Sequence, residues 1–232
     1  MYAGQKASYQ GYQYCLFPLD YVDCNQLSGP DSYSHCCGHP CDWGGPDNDY
    51  PYYAPCDCTR IDTLSSNGQT IYTSNNKVWT PSGLQWVSFL FAHDENIPSR
   101  KTFSQGDVIG HTGQKANGII GVIGDHVHLD QSLVHNDVIT DYGITCPVYG
   151  QRCYALGKST YVYNVFYLGG TETIVDLMGM TFQTIPGVEP EPPLPDPPGP
   201  VTPVGNLSAG TFLLLCKYKL RRQQNGKRII RL

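Results

Sequence analysis

The heptapeptide GDHVHLD, residues 124–130, places two histidines on either side of a single valine. In an extended strand, successive side chains alternate between faces, so His126 and His128 would point the same way and Val127 the opposite way. Two imidazoles on one face can share a metal ion, or one can bind the metal while the other transfers protons. A surface strand with two unrelated histidines would show the same spacing, so the rest of the chain has to decide.

Candidate partners for this pair lie upstream. The segment SHCCGHPCDWGG offers His35 and Asp42 in a Gly-flanked loop that could fold over the strand, with His39 as a second candidate. The segment FLFAHDENI ends an apolar run in His93, which would lie at a cleft edge or simply face solvent. Zinc in a hydrolase takes three protein ligands and leaves a fourth position for water, so the chain contains enough ligands for such a site.

Taken in order, these motifs resemble a known family. SH…D, FAH, GDVIGHTG and GDHVHLD together look like the LytM/lysostaphin-type (M23 family) zinc metalloendopeptidases that cleave peptidoglycan. The segments FPLDYVDCNQL (17–27), YAPCDC (53–58) and AHDEN (92–96) resemble the branch found on tail-tip proteins and endolysins of bacteriophages that infect Gram-positive bacteria. The resemblance runs from about Tyr14 to Val134.

The resemblance implies a role for each residue of the set. His35, Asp42 and His128 would be the ligands of one zinc ion per chain, while His93 and His126 would be the two catalytic histidines beside the metal-bound water. Zinc lowers the pKa of its water toward about 7. One imidazole would then take the proton and the other would donate to the developing oxyanion, and the sequence leaves open which does which.

The first loop departs from the family pattern. It reads HPCD where the family usually has small apolar residues before the aspartate, and it adds Cys36, Cys37 and Cys41. A thiolate so close to the site could compete for zinc, or a disulfide could pin the loop. His39 could also replace His35 as a ligand, although the pair Ser34-His35 matches the SH of the family.

Three weaker features fall outside this set. His111 lies in the GDVIGHTG turn and is expected to be exposed. Asp125 could orient His126 but is expected to be a solvated turn carboxylate. GQKANG is not followed by GK[ST], so nucleotide binding has no support.

The elements that would position these residues are mostly strands. Gly (25), Tyr (17) and Pro (18) are abundant and charged residues are only 15%, a mixture that suits short strands joined by turns. We therefore predict a mainly β fold, an antiparallel β-sheet peptidase domain with an open groove. Two weak helical candidates are 139–142 and 171–179. The predicted strands are YCLFPLDYV, TIYTS, KVWTP, LQWVSFLFAH, DVIGHTG and HVHLDQSLV.

Ten cysteines are many for a chain without an obvious export signal. Disulfides, a second metal site made of thiolates, and buried unreactive thiols are three competing explanations. The CC…C and CxC spacings do not match the paired CxxC of a zinc ribbon. Cys146 and Cys153 bracket a short loop, and they are our first choice for a disulfide.

Composition divides the chain into three parts. Residues 1–185 form the predicted peptidase domain, and 186–204, with nine prolines, form a proline-rich linker of extended polyproline II type. Residues 205–232 read as a short basic hairpin with seven bases and no acid, whereas 1–204 hold all twenty acids and eight bases. This C-terminal attachment segment could bind anionic wall polymers or add a strand to another phage tail protein.

These features together predict a zinc-dependent endopeptidase that hydrolyses peptide bonds in the stems or cross-bridges of bacterial peptidoglycan. We expect no nucleic-acid partner, no signal peptide and no membrane span. The protein is expected on the phage virion tail, or in the host cytoplasm before release at lysis, and to act on the cell wall. The alternative is a catalytically silent structural tail component that retains the fold.

Overall fold

A computed structural model describes residues 4–30, 32, 34–45, 48–121, 123–147, 150, 152–170 and 172–187. All of these residues belong to one compact unit, Met1–Pro190. The predicted basic segment 205–232 and all but the first two residues of the predicted linker lie outside the described residues, so the proposed domain boundaries stay predictions. None of the described helices is long and apolar enough to cross a membrane.

The described chain is nearly all β, which confirms the predicted fold class. Regular helix is confined to two single 3₁₀ turns in this part of the chain, η1 (Ser65–Asn67) and η2 (Val162–Asn164). The strands are β1 (Ser8–Tyr9), β2 (Tyr12–Gln13), β3 (Tyr21–Gln26), β4 (Cys41–Trp43), β5 (Pro51–Tyr53), β6 (Cys58–Leu64), β7 (Gln69–Ser74), β8 (Val78–Thr80), β9 (Gly83–Gln85), β10 (Ser88–Ala92), β11 (Thr102–Phe103), β12 (Val108–His111), β13 (Val127–Ser132), β14 (Ile139–Thr145), β15 (Arg152–Leu156) and β16 (Thr173–Asp176).

An eight-stranded sheet forms the centre of the unit, in the order β11-β6-β7-β10-β13-β4-β3-β16. Every neighbouring pair is antiparallel except β3 and β16, which run parallel. Four two-stranded sheets surround it, made of β1-β2, β5-β12, β8-β9 and β14-β15. Strands β10 and β13 lie in the middle of this sheet and have hydrogen-bonded neighbours on both sides, so the ladder restrains their backbones.

The central sheet is covered on both faces near β10. Phe89 and Phe91 contribute to the main aromatic core on one face, while Leu90 and Ala92 pack with Ile71 and Leu156 in a smaller cluster on the other. This explains why Ser88–Ala92 reads as an unbroken apolar run rather than as an alternating one. Val127 and Leu129 of β13 lie in the main core, so the alternate residue His128 projects to the opposite face.

Four local predictions are wrong. The predicted strand YCLFPLDYV (14–22) is mostly not a strand, since β3 begins only at Tyr21. Residues 139–142 belong to β14, which pairs with β15 as a hairpin, and residues 173–176 of the second helical candidate form β16 beside β3. Both segments are rich in β-branched residues, which favour a pleated surface. Cys146 and Cys153 do not bond to each other, because Thr145 pairs with Arg152 and the two cysteines are then out of register. The disulfides are instead Cys36–Cys146 and Cys37–Cys153.

Candidate metal centre and catalytic histidines

Two of the predicted metal ligands face each other across adjacent strands. His128 of β13 and Asp42 of β4 are direct partners in the antiparallel ladder, so their side chains emerge on the same face. Ala92, at the end of β10, is the partner of His128 on the other side. His35 reaches the same spot from the segment between β3 and β4, which has no regular secondary structure in its described residues.

The three candidate ligand atoms form a small triangle. The Nε2 of His35 lies 3.2 Å from Asp42 Oδ1 and 3.0 Å from His128 Nδ1, and His128 Nδ1 lies 3.1 Å from Asp42 Oδ1. Zinc–nitrogen and zinc–oxygen bonds of about 2.0–2.1 Å in a tetrahedral site separate the ligand atoms by about 3.3 Å. Two imidazoles and one carboxylate at these spacings therefore fit a zinc ion, and leave its fourth position for water.

The electrostatics keep the carboxylate charged. Burial by itself would raise the pKa of Asp42, but hydrogen bonds from His128 and His35 outweigh it and hold that pKa well below its usual range. Burial would lower the pKa of His128, and its contacts with Asp42 reverse this and raise it. Burial dominates at His35 and lowers its pKa. Metal ligation requires an ionised carboxylate and unprotonated imidazole nitrogens. The pKa directions of Asp42 and His35 favour this state, whereas the raised pKa of His128 reflects its contact with Asp42, and a metal ion would have to displace the proton of His128.

His93 follows β10 directly, as the apolar run predicted. Its φ of +83° is unusual for a residue with a side chain, and hydrogen bonds hold it on both sides. The backbone N–H of His93 donates to Asn67 at 2.9 Å, and its carbonyl accepts from Lys115 at 3.3 Å. Burial, with the nearby His128 and His126, lowers the pKa of His93 to about 4, so the ring is neutral at neutral pH.

His126 lies beside His93, with ring centroids 4.6 Å apart. It precedes β13 and is fixed by a two-way backbone bridge to Gly113, with N···O distances of 3.0 and 3.2 Å. Its Nε2 is 3.5 Å from Asp42 Oδ2. The imidazole of His126 therefore lies next to the ligand triangle but is not one of its corners. This is the position expected of a proton-transfer group.

Carbonyl groups set the tautomers of both outer histidines. The Nδ1 of His93 is 3.0 Å from the carbonyl of Lys115, and the Nδ1 of His126 is 2.7 Å from the carbonyl of Gly124. A carbonyl oxygen can only accept, so Nδ1 must carry the hydrogen in each neutral ring. Nε2 is then the unprotonated nitrogen of both, and either ring can accept a proton there.

The weaker candidates lie outside this cluster. His39 does not replace His35, since its ring packs at a tilt against Tyr161, with ring centroids 3.9 Å apart, and it is not part of the ligand cluster. His111 is half-buried rather than exposed, and its backbone N–H contacts the Asp94 carboxylate at 3.3 Å. Asp125 is half-buried, and its carboxylate accepts a hydrogen bond from the backbone N–H of Asp49 at 3.4 Å. Within the described part of the chain, no hydrogen bond joins Asp125 to His126.

The added cysteines do not supply ligands to this cluster. Cys36 and Cys37 are both in disulfides, so their sulfurs carry no thiolate for zinc. Cys41 precedes Asp42 on β4, and the alternation of the strand turns its buried side chain into the main core. The loop disulfide that the sequence allowed is therefore present, with partners that the spacing did not reveal.

Sequence reasoning missed the groups that hold the outer histidines. Gly113 and the carbonyls of Lys115 and Gly124 act through the backbone, which gives no side-chain signal. An ideal Cβ on Gly113 would lie 2.2 Å from the His93 carbonyl oxygen, so only glycine allows this approach. Gly113, the last residue of GHTG and thirteen positions before His126, was the one available clue.

Comparison with known proteins gives sequence relatives, among them a phage protein. The chain is 29% identical over 177 residues to Morphogenesis protein 1 of Bacillus phage B103, an alignment that covers 75% of this chain and 45% of that protein. The chain thus spans less than half the length of this relative. No family model matches the sequence.

Two solved structures match weakly. A zinc-containing peptidase from Vibrio cholerae covers 51% of this chain, and the match spans 35% of that chain, at 16% identity and a TM-score of 0.34. A protein from Ruminococcus gnavus ATCC 29149, described as a glycyl-glycine endopeptidase LytM, covers 50% of this chain with 42% of its own, at 17% identity and a TM-score of 0.30. Scores this low support no inference about fold or activity.

Proposed function

We propose that this protein is a zinc-dependent endopeptidase that hydrolyses peptide bonds of bacterial peptidoglycan. The observation that carries the proposal is the triangle of His35, Asp42 and His128, with the rings of His93 and His126 beside it. Three ligands with two further imidazoles form a constellation suited to hydrolysis rather than to a closed structural metal site. In this proposal, His35, Asp42 and His128 hold the metal and the other two histidines are catalytic.

The two outer histidines, His93 and His126, would carry out the proton transfers. When bound, zinc would act as a Lewis acid and lower the pKa of water. As the water oxygen attacks the carbonyl carbon, Nε2 of one outer histidine accepts the water proton. As the carbon–nitrogen bond breaks, a protonated imidazole gives its proton to the leaving amine. The Nδ1 bonds of His93 and His126 keep both rings oriented for this exchange.

Two observations support the proposal that this is a phage enzyme that acts on cell walls. The ordered motifs resemble the peptidoglycan peptidases of phage tail tips and endolysins. The relative from Bacillus phage B103 carries the name of a morphogenesis protein, which fits a role on the virion tail as well as one at lysis. Tail partners, or anionic wall polymers bound through 205–232, belong to the same proposal.

The test is hydrolysis of purified Gram-positive cell walls by the full chain. New free amino groups would report peptide-bond cleavage, whereas new reducing ends would report cleavage of glycan. We expect amino groups from the zinc-loaded wild type and none from His126→Ala. The matched control is His135→Ala, since His135 is exposed and its ring contacts Trp86 outside the cluster.

Two outcomes would contradict the proposal. Reducing ends without amino groups would assign the protein to a different class of wall enzyme. A zinc-loaded chain that releases neither product from walls of several cross-bridge types would favour the alternative, a structural tail component that keeps the fold and the metal but not the activity.

A further inference from the structure

We infer that the two disulfides, Cys36–Cys146 and Cys37–Cys153, are positioning elements of the metal centre that fix His35 in the ligand triangle. This inference rests on the proposed function, because it concerns the same metal site. It assigns a role to Cys36 and Cys37, two of the cysteines by which the first loop departs from the family pattern, and it makes the hairpin β14–β15 a support for the site.

The three candidate ligands are held in different ways. Asp42 and His128 are register partners in the central sheet, so the ladder fixes both backbones. His35 has no such support, since the described residues between β3 and β4 form no strand or helix. Its described backbone bonds are local, with His35 N–H donating to Ser32 Oγ at 3.3 Å and Gly29 N–H donating to its carbonyl at 2.9 Å.

Among the described residues, the side chain of His35 also has no second anchor. Metal-binding histidines usually donate their other ring N–H to a carboxylate or carbonyl, and that bond orients the ring. The Nδ1 of His35 is fully buried and has no hydrogen-bond partner among the described residues. The orientation of this ligand therefore has to come from its backbone, and the two residues that follow it are both disulfide-bonded.

The hairpin that receives these disulfides is itself fixed to the central sheet. Leu156 is fully buried against Ile71, Leu90 and Ala92, and its backbone N–H donates to the buried Asp130 carboxylate at 2.7 Å. Asp130 lies on β13, two residues after His128. The central sheet therefore supports both the hairpin and the two candidate ligands on its strands, Asp42 and His128.

The His35 segment packs closely on this hairpin. An ideal Cβ on Gly38 would lie 2.6 Å from the Cβ of Ala155, so the loop touches β15 where the second disulfide forms. Cys37, Cys146, Cys153 and Ala155 make a small buried cluster there. Two consecutive residues are thus bonded to two separate points, Cys146 just after β14 and Cys153 on β15, which restrains rotation as well as translation of the chain just after His35.

A double-mutant cycle separates positioning from general stabilisation. The variants are the full chain with Cys36→Ser and Cys146→Ser, the full chain with Cys37→Ser and Cys153→Ser, and each pair combined with His35→Ala. Serine removes the thiols, so they cannot bind zinc themselves. Zinc affinity is measured by competition with a chromophoric chelator, under conditions where circular dichroism shows the folded state. The visible spectrum of the cobalt-loaded protein reports on the ligand set.

We expect each pair of serines to weaken zinc binding about 10- to 100-fold, the range for groups that orient a ligand. In the His35→Ala background, the same substitutions should have no further effect. Val87→Ala, in the main core, is the control for general destabilisation, and it should lower the melting temperature without changing zinc affinity.

Two results would overturn the inference while leaving the proposed centre intact. One is unchanged zinc affinity in both serine pairs. The other is an equal loss of affinity with and without His35, which would show that the disulfides act elsewhere. A wild type that binds no zinc would instead reject the proposed metal centre, and the inference with it.

Discussion

Gly113→Ala should disable the two outer histidines without touching the metal ligands. Gly113 exchanges two backbone hydrogen bonds with His126 and lies directly against the backbone of His93. Gly113 therefore contacts both segments that carry the candidate catalytic residues, one at His126 and the other at His93. A single methyl group at this position would therefore push them apart.

The structure gives the size of the displacement. The added Cβ would lie 2.2 Å from the His93 carbonyl oxygen, and contacts of this kind are essentially never below 3.0 Å. The segments must therefore separate by about 0.8 Å, the difference between these distances. Misplacement of catalytic groups by about 1 Å can cost about 100-fold in rate, so we predict a 10- to 100-fold loss of kcat/KM. Zinc content should stay at the wild-type level.

The assay is the initial rate of amino-group release from cell walls, with zinc content measured on the same samples. Gly124→Ala is the matched control, because its new Cβ would have no atom within 4 Å and its backbone is not in the left-handed region. It should retain nearly full activity. Wild-type activity in Gly113→Ala, or equal losses in both variants, would refute the idea that this contact sets the geometry of the two histidines.

Two further predictions concern residues near the site. His39→Ala should leave zinc content unchanged, because the His39 ring packs against Tyr161 outside the triangle. Zinc loss measured by elemental analysis would mean that His39 is a ligand. Burial raises the pKa of Asp94 above 3.8, so its contribution to stability is complete below about pH 3.8 and is lost as pH rises through the raised pKa. The melting temperature of Asp94→Asn relative to wild type should therefore increase between pH 4 and pH 7, and a difference that is constant with pH would contradict this.

The fold class and the central strands follow from local patterns. The apolar run that ends in His93 and the alternation around Val127 mark β10 and β13, and both strands form close to where the sequence places them. The short segment at 139–142 was ambiguous, since a few β-branched residues fit either a strand or a turn of helix. Pairing with β15 makes this segment a strand, and that pairing depends on tertiary structure, which the local sequence does not show.

For the candidate site too, some features could be predicted from the sequence and others depend on tertiary structure. The histidines and Asp42 could be selected because residue type and order carry the signal. The disulfide partners could not, because bonds that span 110 and 116 residues depend on how the hairpin folds back onto the loop. The hydrogen bonds that set the tautomers of His93 and His126 come from backbone carbonyls, which every residue possesses.

The central claim is the division of the HVH pair into one metal ligand and one proton-transfer residue. Zinc stoichiometry of purified His128→Ala and His126→Ala, measured side by side with wild type, tests it most directly. We predict about one zinc per chain in wild type and in His126→Ala, and little in His128→Ala. Equal zinc loss in the two variants, or loss in His126→Ala alone, would contradict the account.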